Sequence, residues 1–375
     1  MSNTTFTCAQ CGAVHPVSRR HMVQGDALCE TCFNMEAFLC SRCGTPVYCD
    51  NNAGDTSTPL CEDCFHHYDY TFCERCGVLL RSGEACYGEG DDDEPYCASC
   101  HSRYRSSIIH DYYYKPDPIF YGEGPRYFGI ELEIDGAGER NDYAAEILAA
   151  GNHHVSGTPR LYAKHDGSLN NGFELICSPL SYAYHCKEMP WAAVLAKAKS
   201  LGYTSHNART CGLHIHVSRD ALGISEEQQD ACIARILFLM ESFWNELLCF
   251  SRRTPSQMAR WASRYGYKDQ PQEILEHAKK GYSGRYTCVN LQNHATIEFR
   301  IFRGTLKLNT FIATLQMVNH ICDVALCLSD EHIKSMSWPT FVSGIQSNVY
   351  PELVQYLKER RLYVNDIIQH REEEI

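Results

Sequence analysis

Several familiar signatures are missing from these 375 residues. There is no G-x-x-x-x-G-K-[ST] loop, no G-x-G-x-x-G opening a helix, no G-x-S-x-G elbow and no H-E-x-x-H. Phosphate cradling by a P-loop, dinucleotide binding on a Rossmann turn, an α/β-hydrolase nucleophile and a zincin site are therefore excluded. No apolar run approaches the roughly 18 residues of a membrane span. The opening MSNTTFTCAQ has no basic or apolar signal region, so a cytoplasmic protein is expected. Cationic charge is also scarce. Lys and Arg number 34 against 46 Asp and Glu, a net charge of −12. That argues against a protein that coats phosphates. With 44% hydrophobic and 21% charged residues, most of the chain can bury a core.

Cysteine is abundant, and unevenly placed. Fourteen of the 22 lie in residues 1–105, which carry a net charge of −8; the remainder carries −4. Six Cys-x-x-Cys pairs fall here: Cys8/Cys11, Cys29/Cys32, Cys40/Cys43, Cys61/Cys64, Cys73/Cys76 and Cys97/Cys100. Taken two at a time, they give three four-thiolate zinc spacings at a period of 32 to 33 residues. A two-residue gap turns two sulfurs onto one ion, and a second knuckle closes the tetrahedron. Gly12, Gly44 and Gly77 follow the second Cys of each unit, where the knuckle needs positive φ. Modules of this size have too little core to fold without metal. A disulfide scaffold is disfavoured without an oxidising compartment; ligands interleaved between units are a remaining alternative. Cys49 and Cys86 are left over and read as packed thiols. His15, His21, His66, His67 and His101 could substitute as ligands, but nothing requires them. The acidic surface, including the run Asp91, Asp92, Asp93 and Glu94, should repel nucleic acid and favour a protein partner.

Residues 106–125 mix Tyr, Pro and Gly and read as a partly packed linker. From 126 to 375, helical and strand patterns alternate. Helices are expected over 142–150, 190–201, 271–280, 308–329 and 350–361, with a long central helix starting behind a Ser225–Gln228 capping box.

Four short strands carry the chemistry. In YFGIELEID (127–135), Ile130, Leu132 and Ile134 alternate with Glu131 and Glu133. In GFELICSP, Phe173, Leu175 and Cys177 oppose Glu174. In CGLHIHV, Leu213, Ile215 and Val217 oppose His214 and His216. In TIEFRIFRG, Ile297, Phe299 and Ile301 oppose Glu298 and Arg300, and Arg303 follows. In one sheet, these strands would gather four acids against one certain cation. Buried like charges of this kind are costly, and divalent cations such as Mg²⁺ or Mn²⁺ relieve them. The plainer alternative is a solvated sheet face. Asp166 and Ser168 sit in a turn just before Glu174. Arg252, Arg253, Arg260 and Arg264, around Trp261 and Tyr265, could clamp phosphates but read slightly better as a solvated helix face. Arg285 and Asn290 could reach the same cleft. Cys211 reads as a buried thiol rather than a nucleophile.

The ordered set FGIELEID, HDGSLNNGFELICSP, TCGLHIHV and IEFRIFRGT, over about residues 126–310, resembles the amidoligase family, which is similar to carboxylate–amine ligases of the glutamine synthetase and glutamate–cysteine ligase type. The resemblance implies an α+β fold, a curved and mostly antiparallel sheet packed with helices; the three zinc modules (8–32, 40–64 and 73–100) lie outside it and look like an added N-terminal part. It implies an ATP-dependent ligase that makes an amide through an acyl phosphate. It also implies roles: Glu131, Glu133, Glu174, His214 and Glu298 would hold Mg²⁺ (or Mn²⁺) with ATP, while His216, Arg300, Arg303 and Asp166 would serve the transferred phosphoryl group. Zinc would be structural. The expected partners are carboxylate and amine substrates, one a peptide or protein, and a protein bound by the zinc modules. Two other readings compete: a non-catalytic adaptor, and a metal-dependent hydrolase using both imidazoles.

Overall fold

The computed structural model describes residues 4–87, 94–153, 159–208, 210–281 and 284–364, without the side chains of 103–106. The acidic residues Asp91–Asp93 lie outside the described residues. The chain divides into two units. One comprises Met1–Ser107 with Tyr113–Lys115, the other Ile108–Tyr112 with Pro116–Ile375.

The first unit repeats one backbone device three times. A hairpin carries the first Cys pair in its turn, and the second pair sits at the start of a short helix: Glu30–Glu36, Glu62–His67 or Ala98–Ser106. Cys8, Cys40 and Cys73 each donate their N–H to a carbonyl five residues on (Ala13, Thr45, Val78) at 2.9 Å. The next residue in each unit (Ala9, Ser41, Glu74) bonds the carbonyl two residues before the third Cys, also at 2.9 Å. Gly12, Gly44 and Gly77 adopt φ of 72°, 70° and 67°, and each N–H returns to the carbonyl of the first Cys. The strain of that left-handed turn falls on the residue type that tolerates it. Cys49 is exposed rather than packed, because it opens a surface 3₁₀ turn; Cys86 is half-buried.

The second unit is built on an eight-stranded sheet. Its strands are β1 (Ile109–His110), β2 (Tyr127–Asp135), β3 (Leu161–Lys164), β4 (Gly172–Cys177), β5 (Leu180–Ser181), β6 (Gly212–Ser218), β7 (Val289–Asn290) and β8 (Thr296–Arg303). The order is β1-β3-β4-β2-β6-β8-β7, with β5 paired to the start of β2. Every pairing is antiparallel except β1 with β3. Within the segment 106–125, Ile109–His110 is therefore an edge strand, and Ile109 is buried in the core. The apolar faces of β2, β4, β6 and β8 join the helices in one cluster, as period-2 alternation demands.

The helices differ in detail from the sequence pattern. The long central helix is two, Glu226–Ser242 and Trp244–Ser251, broken at Phe243. Ser225 caps the first by accepting from the Gln228 N–H at 3.3 Å. The Gln228 side chain bonds the Ile224 N–H instead of closing the box. The complete capping box belongs to Thr254 and Gln257, ahead of Pro255–Trp261. Leu308–Cys327 is long and apolar enough to cross a membrane, against the sequence expectation, but 78% of its apolar window is buried within the unit. Its burial marks it as a core helix.

One buried group makes the fold acid-sensitive. His185 lies beneath β2, with Nε2 bonded to the Phe128 carbonyl at 3.1 Å and Nδ1 accepting from Trp191 Nε1 at 3.2 Å. Burial lowers its pKa from 6.5 to about 4. Above pH 6.5 both states are neutral. Between 6.5 and 4 only the unfolded chain takes the proton, so stability falls as pH falls. The loss should reach on the order of 3 kcal/mol. Thermal unfolding of wild type and His185→Gln across this range should show a shallower acid loss in the variant; parallel curves would contradict the assignment.

Candidate metal and anion site

Strand register decides what meets on the polar face. β2 lies between β4 and β6, so Glu133 stands directly opposite Glu174, and Glu131 opposite His214. β6 in turn sets His216 opposite Glu298. Glu133, Glu174, His214 and Glu298 are only 3–7% exposed, so this is no solvated face. Two groups of ligand-type atoms form. Glu131, His214 and Glu298 offer atoms within 4.8 Å of one another, and so do Glu133, Asp166 and Glu174. His214 stands between the two. Its Nδ1 lies 3.2 Å from Glu131 and 3.5 Å from Glu298, while Nε2 lies 3.7 Å from Glu133.

The charges respond to this crowding. For Glu174, burial together with the charges of Glu131 and Asp166 pushes the carboxyl well above its ordinary range. For Glu131, burial is outweighed by His216 and His214, which hold it well below that range. His216, 3.0 Å from Glu131, is raised: burial opposes its charge, but Glu131 prevails. Buried carboxylates with an imidazole form a donor set that suits a hard divalent cation. Each trio would supply three ligands, leaving positions for water or a phosphate oxygen.

A bulge completes the cationic side. The β6–β8 register shifts between Leu213 and Ile215, which pair with Phe302 and Phe299. Arg300 and Ile301 thus occupy the space of one residue. Strict alternation from Phe299 would put Arg303 on the apolar face; the bulge restores it to the polar one, opposite Gly212. Arg300 forms an ion pair with Glu298 and lies 5.8 Å from the Tyr286 ring centre. Asn290 reaches the same carboxylate at 2.8 Å.

Three contributors escaped the sequence reading. Gly212 donates its N–H to Glu133, and a Cβ there would come within 2.6 Å of both His214 Nε2 and the Arg253 guanidinium. Arg253, read from sequence as part of a solvated helix face, is buried beside this point because its helix ends at Ser251. Asp135 is buried and accepts from the Asn171 N–H at 2.7 Å and the Asn170 N–H at 3.2 Å. It thereby fixes the turn that carries Asp166. Its own place at the end of the E-L-E-I-D alternation was the available signal. Elsewhere, Arg264 pairs with buried Glu241 at 2.8 Å, and Arg260 stacks on Trp261. Arg285 bonds Tyr112 and Tyr286. Burial raises the Cys211 thiol, which removes it as a nucleophile.

The cysteines form three separate clusters, Cys8/11/29/32, Cys40/43/61/64 and Cys73/76/97/100, each with its sulfurs within 4.8 Å. Sγ separations are 4.0 Å (Cys11–Cys29), 3.7 Å (Cys43–Cys61) and 3.9 Å (Cys76–Cys97). A tetrahedral zinc with Zn–S of about 2.3 Å sets sulfurs about 3.8 Å apart. In the first cluster, backbone N–H groups, led by that of Cys11, lower Cys8 to about 6, while donation by the Cys32 S–H to the Cys29 sulfur raises Cys32 to about 12. Four close thiols cannot all ionise without a cation. The ligands group within each repeat and are not interleaved between repeats.

Comparison with known proteins bears on the second unit. No curated protein is significantly similar to the chain. Among solved structures, a bifunctional glutathione synthetase from Pasteurella multocida is 14% identical, covering 63% of this chain and 46% of its own, with a TM-score of 0.36. The complex between the prokaryotic ubiquitin-like protein Pup and its ligase PafA is 12% identical over 63% and 58%, with a TM-score of 0.29. The chain thus spans about half the length of these structures. Residues 153–321 match the family described as "Putative amidoligase enzyme". The matched segment carries Asp166, Glu174, His214, His216 and Glu298, so the second unit is similar to the amidoligase family over the stretch that builds the site.

Proposed function

We propose that the second unit is an ATP-dependent carboxylate–amine ligase that uses Mg²⁺ or Mn²⁺. The observation that carries the reading is the pairing of buried acids across β4, β2, β6 and β8, within an amidoligase-family segment. Glu131, His214 and Glu298 would hold one divalent ion, and Glu133, Asp166 and Glu174 a second. Bound there, such ions neutralise phosphate charge and align the oxygens. His216, Arg300 and Arg303 would face the phosphoryl group, where fixed cations stabilise charge developing in transfer.

The reaction follows from carboxylate chemistry. A substrate carboxylate oxygen attacks the γ-phosphorus of ATP, the bond to the β-phosphate oxygen breaks, and ADP leaves. The resulting acyl phosphate is attacked at carbon by an amine. The C–O bond to phosphate then breaks, the nitrogen loses a proton, and amide and inorganic phosphate remain. The buried acidic face, with no reactive thiol beside it, fits phosphoryl positioning rather than covalent catalysis by the protein. The first unit would hold three structural zinc ions and grip a peptide or protein substrate. Its excess of acidic residues favours that partner over nucleic acid.

Hydroxylamine can replace the unknown amine. With Mg²⁺, ATP and a panel of carboxylic acids, the full chain should release ADP and form a hydroxamate. Glu131→Ala should lower both by roughly 100-fold or more. Failure of the wild-type protein to bind Mg²⁺-ATP at millimolar concentration would sink the ligase.

A cation entering the Glu133–Asp166–Glu174 group must displace the proton that Glu174 retains. Mn²⁺ affinity should therefore rise with pH until Glu174 ionises. Calorimetry in buffers of different ionisation enthalpy should detect released protons; buffer-independent heats would contradict it.

Elemental analysis should find about three Zn²⁺ per chain, one for each cluster. A chelator strong enough to strip them should collapse the first unit while the helical signal of the second persists. A content of two or fewer would show that a cluster does not close. Pull-down of the substrate with and without residues 1–107 tests the gripping role, and equal recovery would count against it.

A further inference from the structure

The two edges of the sheet meet over its polar face. β1 and β7 stand at opposite ends of the strand order, six strand-to-strand steps apart. At about 4.8 Å per step, a flat sheet would hold them roughly 29 Å from each other. Tyr112 lies just past β1 and Arg285 just before β7, yet the Arg285 guanidinium donates to the Tyr112 hydroxyl. Two side chains do not bridge such a gap, so the sheet is bent into a trough.

The bridge lies on the acidic side. Leu161 and Ala163 of β3 belong to the core, so Lys164 shares a face with Glu174, its direct partner on β4. The Lys164 ammonium is 5.4 Å from the Tyr112 ring centre. The Arg285 guanidinium lies 5.2 Å from the Tyr286 ring centre, and Arg300, the ion-pair partner of Glu298, lies 5.8 Å from the same ring. Lys164, Tyr112, Arg285, Tyr286 and Arg300 thus form a strap of alternating cations and rings from β3 to β8. Between those strands run β4, β2 and β6, which carry Glu174, Glu131, Glu133, His214 and His216.

The two halves of the strap are held differently. The Tyr286 carbonyl accepts from the Ser263 N–H at 2.8 Å, and Trp261 packs edge-on against the Tyr286 ring at 5.6 Å. Tyr112 hangs from a strand of two residues, and the chain passes into the other unit immediately after it. Beneath the strap, Glu133, Glu174, His214 and Glu298 are nearly closed to water. A divalent ion must touch its oxygen ligands at about 2.1 Å, and one that carries a triphosphate cannot do so through a covered face.

We propose that the Tyr112–Arg285 bond is a latch. Closed, it holds the strap over the acidic trough; its opening, on the Tyr112 side, admits the metal–nucleotide. The inference rests on the ligase reading for the nucleotide, and on the two ligand trios alone for the metal ion. Tyr112 acts by gating and touches no reacting atom.

Rapid-mixing uptake of Mn²⁺ and of Mn²⁺-ATP by the full chain, followed by the spin resonance of unbound Mn²⁺, tests the latch, with release chased by excess Mg²⁺. Tyr112→Phe removes only the hydroxyl. It should speed uptake and release together by roughly threefold to tenfold, the worth of one such hydrogen bond, and leave Kd within about twofold. A ring that only supported the fold would change affinity or Tm without this paired acceleration. In an Arg285→Gln background, Tyr112→Phe should have no further effect, because the bond is already gone. Equal rates in wild type and Tyr112→Phe, or an acceleration undiminished by Arg285→Gln, would overturn the proposal. Uptake of Mn²⁺ without ATP by the wild type would count against the ligase reading, and the Mn²⁺ rates would then decide the latch. No uptake of Mn²⁺ at all would overturn both.

Discussion

Like charge forced together in a dry place is the constraint around which the second unit is organised. Glu133 and Glu174 face each other across neighbouring strands, nearly inaccessible to water. In a metal-free state the fold reduces that repulsion in two ways. Burial with nearby negative charge favours the protonated form of Glu174, and the imidazoles of His214 and His216 partly neutralise Glu131. Neither device is costless, because a buried proton acceptor and a buried ion pair both give up hydration. What makes the arrangement tolerable is the opposite side of the same strands. Ile130, Leu132, Ile134, Leu175, Leu213, Ile215, Val217 and Phe299 belong to one continuous core. Apolar burial on one face supports electrostatic strain on the other.

The first unit solves a related problem with sulfur. Each repeat is too short for a core of its own, and its buried cluster consists largely of the cysteines themselves. Backbone N–H groups are aimed at the sulfurs, as when the Cys29 N–H meets Cys8 Sγ at 3.2 Å. That orientation favours thiolates before any ion arrives. Both units thus gather ligand-type atoms, one soft thiols and the other hard oxygens, and the two donor types suit different metals.

Much of this was legible in the chain because two periodicities are so regular. The two-residue Cys gap and the alternation of Glu131–Ile134 have few alternative structural meanings, and Gly12, Gly44 and Gly77 mark a turn by the one conformation they permit. Legibility failed where a feature depends on breaking a period. The β8 bulge resets which side chains share a face, so Arg303 reached the polar side by a register shift that alternation does not encode. Arg252 and Arg253 follow a helix whose end at Ser251 is fixed by tertiary packing, and composition alone made them look solvated. Asp135 looked like a strand terminus, and its role emerged only when Asn170 and Asn171 folded back to it.

The bulge also explains why the polar face has two ends of opposite sign. Without it, β8 would contribute Glu298 and Arg300 to the face and send its next arginine into the core, where an unpaired guanidinium could not remain. With it, Arg303 comes opposite Gly212, the one position on β6 without a side chain. Gly212 in turn leaves room for Arg253 beside His214 and gives its N–H to Glu133. A single inserted residue and a single missing side chain therefore join the acidic and basic halves. The acids alone could hold a metal, and the arginines alone an anion. Their contact across His214 sets a donor set suited to a cation directly against one suited to an anion.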